Sequence, residues 1–570
     1  MIQERLDTAG DSRRPLRRVS DRYQNLAKYL PTGGVGLLLA AFFFAASLTP
    51  SLMPRNAVVQ GLLAGALAIL GYGIGRSLEY LWLFLELPKA PIAWRSLLDR
   101  GSYVVALLLV LGSTWKAADW QNSTRAAVGM EPVSTAQPLI IMGMSVLAFS
   151  LTWLIALAFL FVLRNLRQQL DRFVPQRVSA MLAFLFALWI FWALGEGVLV
   201  KNIFQFADST LEAADSFIEP DIPRPTDPLR TGSESSAISW EDLGRWGRDY
   251  IHRAPRRDEI AEFVGERAMD PVRVYIGLGA APTPQARADL ALQEFIRLGG
   301  FERSAIVVMV PVGTGWMDPG SQDTLEFILG GDVATVAVQY SYLKAALSVL
   351  ADSEVGFEQA RTLFNAVYAH WTKLPKESRP KFYVHGLSQG AQISQNTLPL
   401  LDFLEDPIDG VLWAGSPFFA RFWQHVRERK DPQSPVWQPR YGNGSLVRVA
   451  NQKTGLEQYA AQWGPIRIIF LNYASDPIVF FTYDMAYRQP DWLKEPRAFD
   501  VSPDLRWYPI VTMLQVGLDT TISLKAPGYG HYYVAEDYID AWAELLAPPD
   551  WTAERSAELK EIFKRRGPAF

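Results

Sequence analysis

At 570 residues the chain exceeds one ordinary domain, so two or more folding units are expected. It contains no cysteine, which excludes disulfides, thiolate metal sites and cysteine nucleophiles. Residues 1–200 carry 18 basic and 11 acidic side chains, whereas residues 201–570 carry 37 and 48, a balance that makes the second part a poor surface for a phosphate backbone and argues against nucleic acid as a partner.

The first 32 residues form a basic tail with Arg5, Arg13, Arg14, Arg17, Arg18, Arg22 and Lys28. Ser12-Arg13-Arg14 faintly matches a twin-arginine export signal, but the apolar run starts too far downstream, so a cytoplasmic flank is the reading adopted. Apolar runs follow over 33–200, at Gly33–Leu48, Ala57–Gly75, Ser102–Ala118, Pro138–Leu163 and Val178–Val200. All but the third approach the roughly 20 residues that a helix needs to cross a bilayer. Ser102–Ala118 is short enough to be re-entrant or interfacial, and its status sets the parity of the spans.

With five spans and the tail inside, Arg76, Lys89, Arg95, Arg100, Arg164, Arg167, Arg172 and Arg177 are cytoplasmic, leaving only Arg55, Lys116 and Arg125 outside. That arrangement places everything after Val200 outside the cytoplasm. A removable signal peptide is the alternative for the first run, given Ala45-Ala46-Ser47. Glu196, acidic within an expected span, sits near its outer end, where it can reach the interface.

Residues 201–238 are expected to be a linker or extended arm, because Phe217–Ser236 is rich in Pro, Gly and Ser. A second domain, 239–570, opens with a helical stretch through Val264. Strands are expected at Val272–Gly277, Ala305–Val310, Ala334–Gln339, Phe382–Val384, Val411–Ala414, Ile466–Leu471 and Ile522–Leu524. Helices are expected at Pro284–Leu298, Ser321–Leu329, Leu343–Ala351, Phe357–Trp371 and Ala391–Leu401. The expected fold class is therefore an N-terminal α-helical transmembrane bundle of about five helices plus a C-terminal α/β domain with a mostly parallel sheet covered on both faces.

The chemistry centres on Gly386-Leu387-Ser388-Gln389-Gly390, which follows a short β-type run and precedes helix-compatible residues. A serine on a sharp strand-to-helix turn flanked by glycines is the setting of an acyl-transferring nucleophile, although the pattern alone also occurs in ordinary loops. Such a site takes its acid and then its histidine from later in the chain. Of five histidines, His252, His370 and His385 precede Ser388, and His425 falls in an aromatic-rich insertion, so His531 in Pro527-Gly528-Tyr529-Gly530-His531 remains as the base. Asp476, after Ile466–Leu471, is the best-placed acid, in competition with Asp402, Asp406, Asp409 and Asp484. Asp476-Pro477 also reads as a turn opener, and the two roles are compatible.

Oxyanion donors are expected from the N–H of Gln389 and from Gly313 or Thr314, in the glycine loop after Ala305–Val310. Gly277-Leu278-Gly279 is rejected as a dinucleotide loop because Pro282 occupies the third glycine position. No histidine and carboxylate spacing supports a metal site, and no cofactor is expected.

The chain resembles a family of bacterial membrane proteins that join a multi-span N-terminal region to an α/β-hydrolase catalytic domain. The resemblance covers almost the whole chain and rests on Ser51-Leu52-Met53-Pro54-Arg55, Arg273-Val274-Tyr275-Ile276-Gly277, Gly313-Thr314-Gly315-Trp316, Gly331-Asp332-Val333-Ala334, Gln339-Tyr340-Ser341-Tyr342, the Ser388 turn, Ala474-Ser475-Asp476-Pro477 and Gly530-His531. By position it implies the triad Ser388, Asp476 and His531. The departure is Gln389, where the family's turn often carries leucine.

The insertion 416–465 holds Phe418, Phe419, Phe422, Trp423, Trp437 and Tyr441, which suit either a lid over an apolar acyl group or plain packing onto the body. The expected function is a membrane-anchored serine hydrolase cleaving lipid-like or envelope-associated carboxylic esters through an acyl-serine. Its expected partners are the lipid bilayer and an apolar acyl substrate. The alternatives are an acyltransferase using the same triad, and a ligand-binding or transport membrane protein without catalysis. Oligomeric state is not legible in the sequence.

Overall fold

The computed structural model describes residues 34–88, 91–193, 215, 217–219, 221–342, 353–398, 406–453 and 455–567. Two compact units emerge. One comprises Met1–Thr49, Arg55–Gln121 and Val133–Leu160, the other Pro50–Pro54, Asn122–Pro132 and Phe161–Phe570.

The N-terminal region is helical: α1 (Gly34–Ser47), α2 (Ala57–Phe84), α3 (Ile92–Ala127), α4 (Pro138–Leu170) and α5 (Gln176–Trp192). Three stretches, Ala57–Phe84, Leu97–Ala127 and Pro138–Leu170, are long and apolar enough to cross a membrane. The third expected run is thereby corrected: Ser102–Ala118 lies in the middle of the 36-residue α3. Charged residues at both ends mask a helix that continues past the apolar segment.

The described parts of α1 and α5 have 14 and 17 residues. At 1.5 Å per residue they reach about 21 and 26 Å, less than the roughly 30 Å hydrocarbon core. Glu196 lies outside the described residues. Small residues let helices of the first unit approach closely. A side-chain carbon on Gly61 or Gly65 would strike the Ile141 or Ser145 carbonyl of α4, while Gly71 and Gly75 abut Leu39 and Gly36 of α1.

In the second unit, the expected helix after Trp240 is split into α6 (Gly244–His252) and α7 (Arg257–Val264). Pro255 between them cannot continue a helix. Within the described part of the preceding arm, Thr231 is fully buried and its hydroxyl donates to the Arg273 carbonyl at 2.8 Å.

Seven strands form one parallel sheet: β1 (Val272–Ile276), β2 (Ala305–Val310), β3 (Val333–Val338), β4 (Lys381–Leu387), β5 (Gly410–Ala414), β6 (Val447–Ala450) and β7 (Arg467–Leu471), in the order β1-β3-β2-β4-β5-β7-β6. β-Branched residues dominate β2 and β3, and both are buried throughout, as a sheet covered on two faces requires. The covering helices include α8 (Pro284–Arg297), α9 (Pro319–Ile328), α10 (Ser353–Trp371) and α11 (Gln389–Thr397). Later come α12 (Arg421–Glu428), the single-turn α13 (Pro477–Phe480), α14 (Val511–Asp519), α15 (Ala535–Leu546) and α16 (Ala553–Arg566).

Two strand expectations need correction. Ile522–Leu524 is no strand: α14 runs into a 3-10 turn at Thr520–Ile522, and Leu524 is exposed. Conversely, the insertion 416–465 supplies β6, which the charge of Arg448 concealed in Val-Arg-Val-Ala. That guanidinium stacks 4.0 Å from the Trp463 ring centre and pairs with Glu544 at 2.6 Å, so the charge is covered and the strand can be buried. The expected helix at Leu343–Ala351 lies outside the described residues.

Candidate active site

The carboxyl ends of β2, β4, β5 and β7 lie side by side, with Val310 in register with Gly386, Leu387 with Ala414, and Ala414 with Leu471. In open parallel sheets, ligands bind beyond this edge. The Gly313–Thr314 loop, Ser388 and the Asp476 loop leave from it.

At the end of β4 the chain turns into α11 through Ser388, whose backbone lies at φ 58°, ψ −121°, an unfavourable region for a side chain larger than glycine. The turn is held by Ser388 N–H donating to Ala414 O at 2.9 Å. Both flanking glycines are required sterically. A side-chain carbon on Gly390 would sit 2.0 Å from the Val310 carbonyl oxygen, and one on Gly386 would sit 2.5 Å from Gly390. The motif therefore packs the serine turn against the end of β2. Gln389 is the first residue of α11, so its N–H faces the turn rather than the helix interior.

The loop after β2 turns back on itself, with Gly315 N–H donating to Val312 O at 2.8 Å. Tyr275 donates to Gly315 O at 2.8 Å and the Gln339 side chain to Thr314 O at 3.0 Å, which ties the loop to β1 and β3. Gly313 is buried and Thr314 half-buried within it, next to the Gly390 contact.

Asp476 and His531 are brought together. Asp476 is buried and caps α13, its Oδ1 accepting from Ile478 N–H at 2.8 Å, while Pro477 occupies the first turn. The turn-opening and acidic roles therefore coexist in one side chain. Its Oδ2 accepts from His531 Nδ1 at 2.6 Å and from the Tyr533 hydroxyl at 2.9 Å.

His531 Nε2 is buried with no hydrogen-bond partner among the described residues, and no hydrogen bond joins it to Ser388 Oγ. The imidazole instead lies over Gly415, where a side-chain carbon would come within 2.6 Å of Cε1. Gly415 follows Ala414, the acceptor of the Ser388 N–H, so serine and histidine flank the same turn.

Tyr533, Ser475 and Asp500 take part in the site without having been candidates from the sequence. Ser475 Oγ accepts from Gly530 N–H at 2.9 Å, and the buried Asp500 accepts from Ser475 N–H at 2.8 Å. Gln452 ties Asp500 to the Gly528 carbonyl at 3.1 and 3.0 Å. These residues hold the two loops together and have no spacing signature. Only Ser475, beside Asp476, and Tyr533, two residues after His531, carried a positional hint.

Asp318, which caps α9, also lies close to this edge. Burial pushes its carboxyl up to about 7, opposed by the Tyr538 hydroxyl and Gly320 N–H.

The other candidates fall elsewhere. Asp406 pairs with Arg379 and Lys376 at 3.0 and 3.1 Å, Asp409 accepts from Phe382 N–H at the opposite sheet edge, and Asp484 lies in a 3-10 turn. Asp402 lies outside the described residues. His385 is a core residue: burial pulls it down to about 4, and the neutral ring donates from Nδ1 to Leu412 O and accepts the Ser321 hydroxyl at Nε2, each at 2.9 Å. His425 is exposed, 3.2 Å from the Tyr441 hydroxyl.

In the insertion, Trp423 is fully buried against Phe470 and Phe480, and Phe422 packs on Trp413, so these two belong to the body. Phe418 forms a separate aromatic group with Phe419, Phe481 and Tyr483.

Comparison with known proteins agrees with this architecture. No curated protein matches the chain. Residues 48–255 match the family described as Alpha/beta-hydrolase family N-terminus. Residues 272–559 match the Alpha/beta-hydrolase family, and that span carries all seven strands together with Ser388, Asp476 and His531. The chain belongs to the alpha/beta-hydrolase family.

Proposed function

We propose that the protein is a membrane-anchored serine hydrolase that cleaves carboxylic esters with apolar acyl groups through an acyl-Ser388 intermediate. The observation that carries this reading is the buried Asp476–His531 pair, 2.6 Å long, beside a serine held at φ 58° on a strand-to-helix turn. In this mechanism Ser388 Oγ attacks the ester carbonyl carbon while His531 Nε2 accepts its proton. Asp476 fixes the imidazole tautomer and stabilises the imidazolium. The N–H groups of Gln389 and of Gly313 or Thr314 stabilise the developing oxyanion.

Collapse of the tetrahedral species breaks the ester C–O bond, and His531 returns the proton to the departing alcohol. Water then repeats the sequence on the acyl-serine and releases the carboxylic acid. The hydrogen bond from serine to histidine closes with substrate, as such contacts commonly do. The aromatic group of Phe418, Phe419 and Tyr483 offers apolar surface for an acyl chain.

The distribution of basic residues favours an extracytoplasmic catalytic domain. A reporter fused after Phe570 that is active only in the cytoplasm would overturn that orientation. The decisive test of the chemistry is fluorophosphonate labelling of the full-length protein in detergent. Labelling of the wild type and not of Ser388→Ala is the expected result, and a folded wild type that stays unlabelled sinks the proposal. An alcohol acceptor added in competition with water separates hydrolysis from acyl transfer by the products formed.

A further inference from the structure

We infer that Met53, anchored by Asp519, is a positioning residue for His531. The inference rests on the assignment of Ser388, Asp476 and His531 proposed above. Residues Pro50–Pro54 lie in sequence between α1 and α2, yet they belong to the same compact unit as the hydrolase domain.

Asp519 ends α14 and is fully buried. One of its oxygens, Oδ2, accepts the Ser51 hydroxyl, the Leu52 N–H at 3.1 Å and the Met53 N–H at 3.2 Å. Three donors on one buried carboxylate oxygen fix the backbone of this short segment, because each N–H or hydroxyl left unpaired there would carry a desolvation penalty. Leu52 enters the hydrolase core, and Met53 packs among Val128, Ala526 and Tyr529.

Beyond those residues the methionine meets Gly530, the neighbour of His531. Gly530 has φ +60°, and a side-chain carbon there would lie 2.8 Å from Met53 Sδ and 2.5 Å from Ser523 O. No slack exists between the thioether and the turn. A second segment, residues 122–132 at the end of α3 and in the loop after it, adds support, because Gly129 abuts the Tyr529 ring.

These contacts close a circuit. Asp519 grips Met53, Met53 bears on Gly530, and His531 N–H donates at 2.9 Å to Ser523 O, four residues after Asp519. The Asp476 contact at Nδ1 orients the imidazole ring, whereas Met53 sets how far the turn beneath it can sink. A flexible, polarisable methionine suits the irregular gap. Truncating it leaves space under Gly530 and allows Nε2 to move relative to Ser388.

The test uses full-length protein in detergent, with p-nitrophenyl butyrate turnover and fluorophosphonate labelling as readouts. Met53→Ala is expected to lower kcat by about 10- to 100-fold with KM within about twofold, because a displaced base costs rate while a residue remote from substrate leaves binding intact. Labelling of Ser388 should slow in parallel, and Met53→Leu, of similar volume, should restore most of the rate. A single thermal transition near that of wild type shows that the fold is kept, and if Met53→Ala fails to fold, Met53→Val takes its place in the comparison. Wild-type kcat and labelling in the truncated variant overturn the inference, as does a loss that appears only in KM. A wild type that is not labelled at Ser388 overturns the hydrolase reading instead, so the two failures are distinguishable.

Discussion

Tyr533 shares an acceptor with His531: the hydroxyl of one and Nδ1 of the other both donate to Asp476 Oδ2, at 2.9 and 2.6 Å. Tyr533 is itself stacked on Tyr473, with ring centres 4.2 Å apart, so its hydroxyl is aimed by packing. The carboxylate is therefore held by three donors, counting Ile478 N–H on Oδ1, and presents a fixed geometry to the histidine.

Two substitutions separate these contributions. Asp476→Asn places an amide where the imidazole needs an acceptor and should cut kcat by about 10⁴-fold. Tyr533→Phe removes one supporting hydrogen bond and should cost about 3- to 10-fold, the value of a typical net hydrogen bond. Ester turnover with both variants checks the order, and equal losses would contradict the assigned roles.

The glycines of the serine turn give a steric prediction. Gly390→Ala drives a carbon to 2.0 Å from the Val310 carbonyl, a clash with backbone that no side-chain rotation relieves. Overpacking of this kind costs roughly 1–3 kcal/mol or more. The variant should melt earlier and lose fluorophosphonate labelling, whereas Ser388→Ala should lose labelling and keep its melting temperature.

Arg273 anchors β1 to α9 inside the protein. Its guanidinium meets Glu326 through two 2.7 Å contacts and Asp323 through a third, and lies 4.6 Å from the Tyr250 ring centre. Arg273→Leu leaves both carboxylates buried without their partner, which should destabilise the fold by about 3–5 kcal/mol. Loss of the cooperative melting transition at growth temperature is the expected readout, and an unchanged melting point would refute it.

Asp318 makes stability depend on pH. Its carboxyl, buried near Tyr538, Asp323 and His531, is raised to about 7 in the fold. The unfolded chain releases that proton near pH 4, so across roughly pH 4 to 7 the folded state binds more protons and stability falls as pH rises. Asp318→Asn removes this component and should gain stability relative to wild type between pH 5 and pH 8, by up to about 4 kcal/mol. Melting curves at the two pH values decide it, and a difference of the opposite sign would show that the carboxyl is not held neutral.

Much of the core was legible because buried parallel strands and amphipathic helices leave local signals. Ala305–Val310 is an unbroken apolar run, and it is a strand with those same ends. Pro284 after Thr283 starts α8 where a capping residue and proline should. Where covering partners came from far along the chain, local reading failed. β6 was hidden by Arg448, whose charge is neutralised by Glu544 and covered by Trp463.

By itself the sequence determined the serine turn and the helical apolar region, because each is written in contiguous residues with a fixed period or spacing, and it nominated Asp476 and His531 as acid and base. Only the tertiary structure decided that Tyr533 joins His531 on one carboxylate oxygen, that Ser475 and Asp500 tie the acid loop to the histidine turn, and that Met53 reaches Gly530 across more than four hundred residues of chain. Such contacts depend on how strands and loops are brought to one sheet edge, and no local periodicity encodes them.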